Sequence, residues 1–341
     1  MLFRSPLGDY YFERAQTRLF ETIQRCSLAV DFDQAGFPGL RERLRVYGEP
    51  FSPLLAPHLG QIKGTTYAEL FQSMLQLLEN HYDKSGSVYL GFKEVWADEF
   101  IPCLARNYPE AKFIQIVRDP RAVCASKNIT GARYTWLFMA RQWRKLAALA
   151  WQYQRADGTH VMLIRYEDLV SEPQRVARDI CAWLGVEYAP QMADPESFVD
   201  GQGRPWIQNT SYGTGAQRFD NSGVGKWRRS LEPAELDLIE TLCGPEMLLH
   251  GYRPDHLHTE VPPALLRDAP RIEDSMLAAW ARKYMPNDPA SVSAEMHKEN
   301  IRYALLRSDD RLDCAAEAFL FPELLGYLRS RFAATTETAK I

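Results

Sequence analysis

The stretch Lys112-Phe-Ile-Gln-Ile-Val-Arg-Asp-Pro-Arg-Ala-Val-Cys-Ala-Ser126-Lys127 decides how this chain folds. Its apolar run, Phe113 to Val117, predicts a short buried strand. The run stops at Arg118-Asp119-Pro120-Arg121. Pro120 has no amide hydrogen for a ladder, but its fixed φ suits the first turn of a helix. Ala122 to Ser126 continues as helix. Two arginines and a serine therefore gather where a parallel strand ends and a helix begins, the edge at which open α/β sheets bind ligands. Arginine forks, a hydroxyl and helix N-terminal amides together suit a phosphate.

Other segments repeat the pattern. Val88 to Phe92 reads as a strand that ends at Lys93-Glu94. His160 to Arg165 reads as another, ending in Tyr166-Glu167-Asp168-Leu169, where the two carboxylates suit caps and structural hydrogen bonds. Ser171-Glu-Pro173 opens a helix that runs to Leu184 and is closed by Gly185. Thr65-Thr66 starts a helix over Tyr67 to Asn80. Phe12, Ala15, Leu19, Ile23 and Cys26 recur at helical spacing. Tyr134 to Tyr153 carries Trp136, Met139, Trp143 and Ala147 on one broad apolar face, which reads as core rather than an acceptor pocket. Glu232 to Cys243 is a further helix. Strands alternating with helices predict an α/β fold with a parallel sheet covered on both faces. Residues 34–62 read as an excursion over the ligand edge, and residues 190–225 as a substrate lid.

Beyond residue 253 the pattern changes. Pro254, Pro262, Pro263 and Pro270 make a stiff connector. Helices are expected over Ile272–Tyr284, Ser291–Arg307 and Leu312–Phe332, with too many aromatics for a disordered tail. The expected organisation is a main domain, 1–253, and a helical extension, 254–341. The extension docks on that domain or forms a homodimer contact.

The motifs resemble those of sulfotransferases that use 3′-phosphoadenosine 5′-phosphosulfate (PAPS), over roughly residues 85–252. The resemblance implies a P-loop-like fold, a three-layer parallel sheet flanked by helices. Arg118 and Ser126, eight residues apart, match the pair that holds the 3′-phosphate. Lys93 matches a lysine that contacts the transferring sulfonate in the tyrosylprotein and Golgi-type branches. Tyr166 matches a tyrosine near the adenine or a neighbouring phosphate. Ser222-Gly-Val-Gly-Lys226-Trp227 is similar to the C-terminal cofactor loop, whose serine and lysine reach the nucleotide phosphates. The family normally begins with a strand and a loop such as Pro-Arg-Ser-Gly-Thr-Thr that cradles the 5′-phosphosulfate. Here Arg4, Ser5 and Gly8 stand in as a diverged cradle, while Gly64-Thr65-Thr66 lies too close to Lys93 for the family order.

The implied reaction moves a sulfonate from PAPS to an acceptor hydroxyl and leaves PAP, with no metal. The protein mainly positions and neutralises. Lys93 is the expected cation, with Arg4 as a second. The acceptor needs a general base, and Asp31 or Asp33 is favoured, with Glu94 as the rival. Each of these carboxylates has the plain alternative of facing solvent in a loop. The acceptor is a sugar, lipid or small-molecule alcohol. Two alternatives stay open. One is a catalytically weak or non-catalytic nucleotide-binding homologue, because the 5′ cradle has diverged. The other is a P-loop kinase-like phosphotransferase, which the absence of G-x-x-x-x-G-K-[ST] disfavours.

Composition narrows the classes further. The chain has 341 residues, 40 basic and 44 acidic, for a net charge of −4. That excludes a global attraction to nucleic acid or anionic membranes, so any basic site is local. No apolar run is long enough to predict a membrane span. The six cysteines, at 26, 103, 124, 181, 243 and 314, have no metal spacing and read as reduced, buried thiols. With no apolar core in Met1-Leu-Phe-Arg4, the expected location is cytoplasmic.

Overall fold

The computed structural model describes residues 27–29, 42, 55–82, 86–93, 98–126, 136–156, 160–199, 219, 221–265, 267, 289–308 and 318–338. The expected sites at Arg4, Ser5, Gly8, Asp31, Asp33 and Glu94 lie outside them, as do the helix over 12–26, most of the 190–225 lid and the helix over Ile272–Tyr284. The described residues fall into two compact units, one ending at Ala111 and the other beginning at Lys112.

In the first unit, helix α1 (Tyr67–His81) starts where the sequence predicts. Thr66 caps it by accepting from the Glu69 amide, and the Glu69 carboxylate reaches back to the Thr66 amide. The Glu69 carboxylate also takes the Thr65 amide at 2.9 Å. These backbone bonds hold its pKa below the ordinary value. Gly64 makes the turn before the cap at φ +121°, where a Cβ would lie 2.6 Å from that of Glu69, so only glycine fits. Leu70 and Leu77 pack on Ile62 inside this unit. A short helix α2 (Ile101–Asn107) follows.

The strand expected over Val88–Phe92 does not form. These residues are irregular, with a bend at Val88, which is 78% exposed. An apolar run becomes a strand only where a neighbouring chain completes its ladder, and none of the described residues does so here. Phe92 instead sets its ring edge-on to Phe71, at 5.1 Å.

The second unit is built on two parallel strands, β1 (Phe113–Val117) and β2 (Val161–Arg165). Each residue of β1 pairs with its counterpart in β2, from Phe113 with Val161 to Val117 with Arg165. β1 has the expected bounds but not the expected burial. Gln115 and Val117 are buried, whereas Ile114 and Ile116 are 41% and 57% exposed. Alternate side chains of a strand point to opposite faces, and only one face is covered by the described residues.

After β1 come α3 (Pro120–Cys124) and α4 (Trp136–Ala156). The helix after β1 stops at Cys124, short of the expected Ser126. After β2 come α5 (Tyr166–Ser171) and α6 (Pro173–Leu184). Gly185 closes α6 in the left-handed region at φ +75°, as its sequence position predicts. α7 (Pro233–Met247) packs along α4 and is buried along most of its length. Trp136, Met139, Ala140, Trp143 and Ala147 of α4 are all buried, which makes them core. Cys103, Cys124, Cys181 and Cys243 are buried free thiols.

The C-terminal helices α8 (Pro289–Arg307) and α9 (Pro322–Thr338) pack within this second unit. The last helix starts at Pro322, not at Leu312, because the fixed φ of proline suits a first turn and its missing N–H costs least there. Glu299 of α8 is buried and accepts from Arg141 at 2.9 Å and Arg144 at 2.7 Å, both on α4. These cations hold its carboxyl down at about 2, against the cost of burial. Arg302 of α8 pairs with Glu246 of α7. Pro245 sits inside α7 and has no N–H for the Thr241 carbonyl one turn earlier. The Tyr303 hydroxyl of α8 donates to that carbonyl at 2.8 Å. Trp151 of α4 stacks on Phe321 at 5.8 Å, just before α9.

Candidate active site

The parallel register sets the geometry. Val117 and Arg165 are partners, so the next residues, Arg118 and Tyr166, leave the carboxyl ends of adjacent strands side by side. The Arg118 guanidinium lies over the Tyr166 ring at 4.4 Å. Trp143 of α4 fixes the backbone beneath it by donating from Nε1 to the Arg118 carbonyl at 2.7 Å. Arg118 forms no ion pair among the described residues, and its Nε is buried without a hydrogen-bond partner. Such a donor costs free energy until an acceptor reaches it. The arrangement is therefore poised for an anion.

Arg121 has the opposite fate, although the sequence presents the two arginines alike. Its Nε and Nη2 bind the Asp119 carboxylate at 3.0 and 2.7 Å. Its Nη1 binds Glu240 at 2.7 Å and Asp255 at 3.2 Å. The flat face lies over the Trp227 ring at 3.9 Å. Burial opposes this charge, but the Asp119 and Glu240 carboxylates more than offset it and keep the guanidinium protonated. Arg121 is thus removed from the set of phosphate donors. The α3 amides are largely taken as well: Pro120 has none, Asp119 Oδ1 accepts from Arg121 at 2.9 Å, and Val123 donates to the Asp119 carbonyl.

Glu167 ties the two strand ends together. One oxygen accepts from the Asp119 amide at 3.1 Å, and the other accepts from the Tyr252 hydroxyl at 2.6 Å. Burial and the adjacent Glu167 charge raise the Tyr252 phenol well above its ordinary pKa, so it stays a donor. This matches the structural role expected for Glu167. Arg165 lies over the Tyr252 ring at 4.6 Å.

The loop over residues 221–229 closes this region. Its turn Asn221–Gly223 packs on α5, and its turn Lys226–Arg229 packs on α3. Gly225 has φ +80° and directs the chain into Lys226. Trp227 is buried, with the guanidinium of Arg121 at 3.9 Å and that of Arg228 at 4.2 Å from its ring. The loop carrying Lys226 is thereby docked beside the segments that carry Arg118 and Tyr166. The Ser222 side chain lies outside the described residues. Ser126 is half-buried just past the end of α3, where its amide donates to the Val123 carbonyl. Lys93 is exposed in the first unit.

Sequence reasoning missed Trp143, Tyr252, Glu240 and Asp255 as parts of this region. Glu240 gave one signal: a carboxylate inside the apolar run Leu238-Ile-Glu-Thr-Leu-Cys243, whose burial demands a cation.

Comparison with known proteins bears on the family. The model of the Sulfotransferase family matches residues 17–190. Human carbohydrate sulfotransferase 3 is 28% identical over 185 residues, covering 46% of this chain and 36% of the relative. Mouse carbohydrate sulfotransferase 5 is 26% identical over 192 residues, 47% of this chain and 46% of the relative. A putative protein-tyrosine sulfotransferase of Caenorhabditis elegans is 28% identical over 114 residues, 31% of this chain and 44% of the relative. The chain thus spans less than half the length of these relatives. No solved structure matches it. The carbohydrate sulfotransferases overturn the cytoplasmic expectation, since they stand on the Golgi side of the family. The absence of an apolar leader in the given sequence carries no weight against them. No described helix is long and apolar enough to cross a membrane. With the family model matched over half its length, the chain belongs to the sulfotransferase family.

Proposed function

We propose that this chain transfers a sulfonate from PAPS to a carbohydrate hydroxyl, leaving PAP and a sugar sulfate ester, on a P-loop-like three-layer sheet. One observation carries the reading. Arg118, at the carboxyl end of β1, has a buried Nε with no partner and a guanidinium stacked on Tyr166. An arginine left in that condition fits a multiply charged anion such as a 3′-phosphate. The carbohydrate acceptor is favoured by the names of the curated relatives.

In this reading Arg118 and Ser126 hold the 3′-phosphate, and Tyr166 keeps the Arg118 fork flat beside the adenosine. Ser222 and Lys226 reach the nucleotide phosphates, and Arg4, Ser5 and Gly8 form the 5′ cradle. PAPS supplies a sulfonate that is already activated. Lys93 neutralises charge that grows on the bridging oxygen as the sulfur–oxygen bond breaks. Asp31 or Asp33, with Glu94 as the rival, takes the proton of the acceptor hydroxyl as its oxygen bonds to sulfur. The extension from residue 254 walls the second unit rather than adding chemistry of its own.

The test is calorimetry with PAP, beside turnover of labelled PAPS on a panel of sugars, lipids and phenols. Micromolar PAP binding with label appearing on a sugar is expected. PAP binding without turnover on any acceptor would favour a non-catalytic homologue. No binding of PAP would overturn the reading.

A further inference from the structure

We infer that Arg121 is a positioning residue that locks the Lys226 loop and the start of the C-terminal connector to the carboxyl end of β1. The inference rests on the nucleotide reading of that end but concerns a residue that does not touch the nucleotide. Every nitrogen of the Arg121 fork is engaged, and the residue is 4% exposed. Its partners come from three separate places. Asp119 belongs to the turn after β1, Glu240 to the middle of α7, and Asp255 to the connector after Tyr252. Its flat face supplies the floor for Trp227, the residue next to Lys226.

Glu240 extends the lock. It is fully buried, and its two oxygens also accept from the amides of Asp255 at 2.8 Å and His256 at 2.9 Å. The connector backbone is thereby pinned to the carboxylate that pins Arg121. Arg228 also stacks on the Trp227 ring, at 4.2 Å, and lies 3.6 Å from Asp255. The sequence neighbours of Lys226 are thus held by one planar cation between carboxylates. A lysine has neither a flat face nor a fork, so it cannot replace that function even though it keeps the charge.

The experiment uses the full chain with Arg121→Lys, and Asp255→Asn as a milder variant should the first fail to fold. Amide hydrogen exchange reads the loop directly, without nucleotide. Exchange over residues 221–229 should rise at least tenfold in Arg121→Lys and less in Asp255→Asn, with no change over α6. PAP affinity should fall about tenfold in Arg121→Lys. That loss should disappear when Lys226→Ala is already present, yet add in full to Arg118→Ala. Unchanged exchange in the loop for the folded variants would overturn the inference, as would full additivity with Lys226→Ala. A wild-type chain that fails to bind PAP but shows the exchange change would sink only the nucleotide reading.

Discussion

Arg118→Ala tests the centre of the argument. In the free protein Arg118 gives up no ion pair to bind a ligand, because none of the described residues pairs with it. Its contact with a phosphate is therefore close to a full gain. A hydrogen bond to a charged group contributes about 1.5–3 kcal/mol. The stack on Tyr166 holds the fork in place and adds about 0.5–1 kcal/mol. The loss should be about 2–4 kcal/mol, or roughly 30- to 1000-fold in PAP affinity. Calorimetry reads it. Adenosine 5′-phosphosulfate, which lacks the 3′-phosphate, should lose far less. Stability should fall by no more than the roughly 0.5–1 kcal/mol of the Tyr166 stack, because truncation breaks no ion pair and removes an orphan buried donor. Equal losses for the two nucleotides would refute the assignment, since the arginine would then be reading a shared part of the ligand. A collapse of the melting temperature would show instead that Arg118 is structural.

Three further outcomes are expected. Lys93→Ala should lower kcat about 100-fold or more with little change in PAP affinity, because its contact grows in the transition state; a normal kcat removes it from the mechanism. One of Asp31→Asn, Asp33→Asn and Glu94→Gln should lose turnover about 10²–10⁴-fold while keeping PAPS binding. If all three turn over, the acceptor proton leaves without a carboxylate. Glu299 is held at about 2 in the fold against an ordinary 4.5, so its contribution is complete above pH 4.5 and is lost as pH falls toward 2. About 3 kcal/mol should disappear over that window in chemical denaturation, and Glu299→Gln should lack this limb. An identical acid limb in the variant would show that other carboxylates carry it.

The elements legible in the sequence are those punctuated locally. Pro120 and Pro173 mark helix starts, Gly185 marks an end, and Thr65-Thr66 marks the start of α1, and each forms as predicted. Arg118 and Tyr166 were also visible, because equal offsets from two parallel strands put them together. What distinguishes Arg118 from Arg121 was not visible. That depends on Glu240 and Asp255, more than a hundred positions away, and no local spacing encodes such a partner. The open face of β1 and the failed strand at Val88–Phe92 have the same origin. A run of apolar residues states a willingness to pair or to be buried, and the tertiary neighbour decides.

The proline near the C-terminal end of α7 ties that helix to the one that follows it in the second unit. Pro245 cannot give the buried Thr241 carbonyl its usual helical donor, and the Tyr303 hydroxyl of α8 donates to it. A chain lacking α8 would carry that defect unrepaired, beside a Glu246 that had also lost Arg302. The proline and the tyrosine are thus complementary: one removes a donor that the other supplies. Shorter members of the family that stop near residue 254 should have some other residue than proline at this point in the helix. Its presence in a sequence would then serve as a marker, hundreds of atoms from the reaction, that an α8-like helix follows.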